Sequence, residues 1–125
     1  MDQLDPNDLA ILTTAMPADT NPSGDIFGGW LMAQMDLAAG NVASRTARGR
    51  VATIAVDGMA FLTPVKVGDE VSVYAKVMSI GRTSMKLKVD AYRRLRDSDA
   101  KIRVTEAIFT FVAIDATGRP RSVEL

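Results

Sequence analysis

From Ile26 to Ser44 the chain carries a single charge, Asp36. Within that stretch Phe27, Trp30, Leu31, Gln34, Leu37/Ala38 and Val42 recur at three- and four-residue spacing. That period predicts a helix from Ile26 to about Arg45. Asp25 stands where an N-cap carboxylate would sit, and Arg45 and Arg48 complement the dipole at the far end. The rest of the helix surface is also apolar or small: Met32, Ala33, Met35, Ala39, Gly40 and Ala43. A helix with so little polar surface has to be enclosed by other structure.

The segments around it read as strands. Residues 9–16 form a short apolar run, and residues 17–24 are dense in turn formers, a loop. Residues 51–65 are rich in β-branched and apolar side chains. After a turn at residues 66–70, residues 71–80 and 83–94 alternate apolar with polar side chains, separated by Gly81-Arg82. A polar loop at 95–100 leads to a last strand at 102–114, closed by the turn at 115–118. Period-two alternation with short turns predicts an antiparallel meander. One apolar helix covered by about five strands is a two-layer α+β domain. A curved antiparallel sheet wrapped round one long central helix is the hotdog architecture. The chain's 125 residues suit a single domain, with a core at about residues 9–122. The last strand is apolar on both faces, with Val104, Ile108 and Val112 against Ala107, Phe109, Phe111 and Ala113. That pattern predicts a homo-oligomer.

Composition narrows the function. Fifteen basic residues balance fifteen acidic ones, so nothing favours nucleic acid. Neither cysteine nor histidine is present. Ser-His-Asp triads, Cys-His dyads and the usual zinc sites are therefore unavailable, and no metal is expected. Acid–base work falls to Asp, Glu, Lys or Tyr. The opening MDQLDPNDLA lacks the basic segment of a secretory signal, and the charge-free run at residues 26–35 is too short for a bilayer. A soluble cytoplasmic domain without a membrane partner is expected.

Chemistry centres on Asp36. Its helical neighbours Met32, Ala33, Ala39 and Gly40 offer its charge no partner. Either it bonds a backbone group or a basic residue elsewhere, or it has a job; an apolar setting of this kind raises a carboxylate's pKa, as a general base often requires. Gly28-Gly29 opens the helix, at a cost of about 1 kcal/mol per glycine relative to alanine. The pair fits close packing against a strand, or a carbonyl oxygen received by free N–H groups. Residues 81–84, Gly-Arg-Thr-Ser, form a hairpin turn with the groups to hold phosphate. Lys86, Lys88, Arg93, Arg94 and Arg96 read as a solvated strand face and loop, and the seven methionines as core filling.

These residues resemble a known family. AMPADTNPSGDIFGGWLMAQMD at 15–36 is similar to the opening of bacterial YciA-type acyl-CoA thioesterases. VATIAVDGMAF at 51–61, GRTS at 81–84 and AIFTFVA at 107–113 resemble its later blocks, in order. The resemblance covers roughly residues 10–122 and implies a hotdog enzyme that hydrolyses acyl-CoA to a free acid and CoA. It implies a homodimer as minimal active unit, assembled as a trimer of dimers, with no cofactor beyond the CoA of the substrate. By resemblance Asp36 activates water or attacks the carbonyl, and Asp25 faces it across the dimer interface. Gly28 and Gly29 polarise the carbonyl. CoA runs along Ile54, Ala55 and Val56 and meets Arg82, Thr83, Ser84 and Met85. Double-hotdog relatives carry asparagine where this chain has Asp25. Two rivals are a non-catalytic acyl-CoA-binding hotdog and an acyl-CoA or acyl-carrier hydratase. The hydratases resemble one another in a catalytic histidine, which this chain lacks.

Overall fold

A computed structural model describes residues 4–123. Strand β1 (Leu9–Thr14) precedes one helix, α1 (Gly28–Ala47), and four strands follow: β2 (Val51–Asp57), β3 (Glu70–Ile80), β4 (Ser84–Arg94) and β5 (Lys101–Ala113). They form one antiparallel sheet in the order β1-β3-β4-β5-β2, packed against the helix. The chain is the expected α+β hotdog.

The expected meander holds for β3, β4 and β5, which tight connections join. It fails for β2, which pairs with β5 at the far edge rather than with β3. The strand expected over residues 51–65 ends at Asp57, where Gly58 turns to φ 74°. The remaining residues to Glu70 are a long connection, and no tight turn holds β2 beside β3. This connection is anchored to β5 instead. Leu62 donates its N–H to Val104 O at 2.7 Å, and the buried Thr105 hydroxyl donates to Ala60 O at 2.7 Å.

The helix starts two residues later than its pattern suggests. Ile26 bridges Thr20, and Phe27 N–H donates to Asp19 O at 3.1 Å, so the backbone stays extended up to the N-cap, Phe27. Asp25 is therefore not the cap. Leu31, Met35, Ala38, Ala39, Ala43 and Ala47 face the sheet. Small alanines let the helix lie close to Val71, Val73, Leu87, Val89, Phe109 and Phe111. Burying Leu31 or Met35 contributes about 2 kcal/mol each. The opposite face is uncovered within the chain: Phe27, Met32 and Leu37 are all exposed. Enclosure of the helix is thus half complete in one chain.

Along β4 the polar residues of both sheet faces are organised rather than merely solvated. Arg93 pairs with the buried Asp69 at 2.7 Å, and Arg94 with Glu70 at 2.8 Å, fixing the turn before β3. Asp90 on β4 is buried, 3.3 Å from Arg103. Burial pushes its carboxyl above the usual carboxylate range, and the charges of Lys88 and Arg103 only partly offset this.

Candidate active site

Asp36 lies midway along α1, where the covered face meets the exposed one. Its partner is neither a backbone group nor a basic residue. The Thr53 hydroxyl donates to Asp36 Oδ1 at 2.5 Å. Among the described residues nothing else bonds to this carboxylate.

A bulge in β2 sets this contact. Thr53 is opposite Phe111 and Ala55 is opposite Thr110, leaving Ile54 as the extra residue. Phe111 is buried against the helix, so Thr53 is on the helix side. Strict alternation would put Thr53 and Ala55 on one face; the bulge sends them to opposite faces. Thr53 was not singled out in the sequence for that reason. Ile54, at the bulge, is 60% exposed.

At the helix N-terminus, Trp30 and Leu31 N–H groups both donate to Phe27 O, at 3.1 and 3.3 Å. Among the described residues the N–H groups of Gly28 and Gly29 have no partner. A Cβ on Gly28 would come within 3.3 Å of the Phe61 ring, whereas one on Gly29 would meet nothing within 4 Å. Packing within the chain thus accounts for a glycine at Gly28 and not at Gly29. Two free amides at the positive end of a helix suit an oxygen that gains negative charge.

Asp25 and Asp36 are not brought together within the chain. Asp25 pairs with Lys66 at 3.2 Å, both side chains being about half exposed. Its N–H donates to Asn21 Oδ1 at 3.1 Å, as does that of Ser23 at 2.9 Å. Asn21 thus organises the loop before the helix, a role its place in a turn-rich stretch did not single out.

The remaining expected residues fall in two places. Ile54, Ala55 and Val56 lie on β2, the free edge of the sheet. Arg82, Thr83, Ser84 and Met85 span the β3–β4 turn and the start of β4, two strands away, or roughly 10 Å. The turn is tied down by Ala113 N–H to Thr83 O at 2.8 Å and Val123 N–H to Arg82 O at 2.9 Å. Arg82 is exposed, while the Met85 side chain is buried in the core at 1% exposure. Met85 can therefore meet a surface ligand through its backbone alone. Among the described residues no group of acidic side chains is arranged to hold a metal ion, and no helix is long and apolar enough to cross a membrane.

One carboxylate with a hydroxyl on one oxygen and the other oxygen free can take a proton from water or attack a carbonyl carbon. Residues 23–97 match the family described as the thioesterase superfamily. The chain is 46% identical to the acyl-CoA thioester hydrolase YciA of Escherichia coli over 93% of its length and 90% of that protein's. It is 52% identical to a Zymomonas mobilis protein named uncharacterized acyl-CoA thioester hydrolase, over 91% of this chain and 76% of that one. Among solved structures it superposes with a TM-score of 0.91 on HI0827, a hexameric broad specificity acyl-coenzyme A thioesterase. That match is 43% identical and covers 98% of this chain and 85% of the other.

Proposed function

The chain belongs to the thioesterase superfamily, among its YciA-type acyl-CoA thioester hydrolases, and on that premise we propose how its residues divide the work of hydrolysing acyl-CoA to a free acid and CoA. Asp36 is the general base or the nucleophile, held by Thr53 with one oxygen free to act. That contact is the observation that carries the reading. The free N–H groups of Gly28 and Gly29 receive the thioester oxygen as it becomes an oxyanion.

The two halves of this machinery cannot meet within one chain. Asp36 and the glycine pair ride on the same helix, about 10–12 Å apart along its axis. A reacting carbonyl spans no such gap, since both groups must come within about 3 Å of it. A second copy supplies the missing half. The free edge of β2 and the exposed helix residues Phe27, Met32 and Leu37 are the surfaces such a copy would cover. Asp25 then faces Asp36 from the partner. CoA lies along Ile54, Ala55 and Val56 and the turn from Arg82 to Met85. The homodimer is the smallest active unit, and three dimers assemble into a hexamer in the cytoplasm. The reaction needs no cofactor and no metal.

Purified protein should release free thiol from acyl-CoA, read with a thiol-reactive dye. Asp36→Asn should lower turnover at least about 100-fold with CoA binding and the thermal melt retained. Wild-type turnover by Asp36→Asn would sink the reading. Wild-type protein that binds CoA and hydrolyses nothing would make the chain a binding module.

A further inference from the structure

The segment after β2 is irregular but tightly held. Ala60 O and Leu62 N–H are bonded to Thr105 and Val104 of β5, each at 2.7 Å. The Thr63 hydroxyl donates to Arg103 O at 2.8 Å. Phe61 is therefore pinned on both sides, and its ring lies against Gly28. Between this segment and the start of α1 is a cavity of about 230 Å³. Ile26, Phe27, Leu31, Phe61, Val65 and Val104 line it, together with Gly28 itself, and no charged residue does. Two cavities elsewhere in the chain differ in kind. One is lined by Asp5, Asp8, Lys76 and Arg103; the other sets Asp57, Lys88 and Glu106 among the apolar Met78, Ala107 and Ile108, so both carry charges that this cavity lacks.

The geometry points to this apolar cavity as the seat of the substrate's acyl chain, with the pinned Phe61 ring setting the chain length it accepts. The inference rests on the thioesterase reading above. A carbonyl received at Gly28 and Gly29 has its acyl carbons next to the one residue, Gly28, that belongs to both the amide pair and the cavity wall. The occupant is therefore a hydrocarbon attached to that carbonyl. Its size follows from volume: an apolar cavity of about 150 Å³ binds benzene, so this one takes on the order of eight carbons. Because three hydrogen bonds hold the segment to β5, the wall acts as a fixed stop rather than a yielding flap.

The test is a series of saturated acyl-CoAs from about four to about sixteen carbons, read as kcat/KM by thiol release from the purified full-length chain. For wild type, kcat/KM should rise about fourfold per added methylene and level off near eight carbons. In Phe61→Ala the plateau should move outward, raising the ratio of twelve- to eight-carbon kcat/KM about tenfold. In Phe61→Trp that ratio should fall. Phe61 is half exposed, so both variants should fold, which a thermal melt checks. The ratio compares two substrates on one protein, so a general loss of activity leaves it unmoved. A wild-type plateau that neither variant displaces overturns the acyl seat while leaving the thioesterase reading intact. A wild type inactive on every chain length overturns both.

Discussion

Thr53 gives Asp36 its orientation, and that single hydroxyl is the cheapest place to disturb the site. Thr53→Val keeps the shape and removes the donor. It should lower kcat about tenfold, as a base held less firmly samples fewer productive poses, while KM changes less than about twofold. Thr53→Ser should restore most of the loss. A Thr53→Val enzyme with wild-type kcat would make the contact incidental. Asp36 was singled out in the sequence as a lone charge on an apolar helix, a pattern that left a structural partner and a catalytic role both open. Its partner was not singled out. Val56 is opposite Phe109 and Thr53 opposite Phe111, both on the helix side, three residues apart where alternation demands an even number. The odd spacing exists only because Ile54 bulges, and nothing in VATIAV announces a bulge. Asp25 misled for a related reason: its residue type favours capping, but the bridge between Thr20 and Ile26 keeps the chain extended past it.

Strand identities were legible to within a residue or two for β3, β4 and β5, since alternation and tight turns are local properties. Their neighbours were not, because the placement of β2 depends on hydrogen bonds from residues 60–63 to β5, far along the chain. The β4–β5 pair carries its own consequence for stability. Asp90, opposite Glu106 and 3.3 Å from Arg103, has its carboxyl pushed up by burial. A folded-state value above the unfolded one means the folded chain binds the proton more tightly. The stabilisation this provides is complete below about pH 4, and it is lost as pH rises through the raised value. Asp90→Asn, which has no proton to lose, should therefore gain stability relative to wild type between about pH 4 and pH 7. Thermal melts of both proteins across that range check it, and a difference independent of pH would refute the assignment to Asp90.

At the scale of the assembly, sharing of the site between chains has a direct test. A chain with Asp36→Asn keeps its amides, and one with Gly29→Val keeps its carboxylate but sets a branched side chain in the path of a carbonyl approaching those amides. Each alone should be inactive. Random mixing makes half of the dimers mixed, and each mixed dimer holds one intact site of two. Refolding equal amounts together should recover about a quarter of wild-type activity. A mixture as inactive as its parents would place the whole site within one chain. The expectation of a homo-oligomer came from the two apolar faces of β5, and the sequence did not say which faces would meet, since alternation marks burial without naming what covers it. The distance along α1 between its glycines and its aspartate also has an evolutionary consequence. In the proposed dimer one rod would serve two reaction centres, giving its end to one and its middle to the other. Any inherited change that shifts, tilts or lengthens it is felt at both at once, so neither centre can drift on its own.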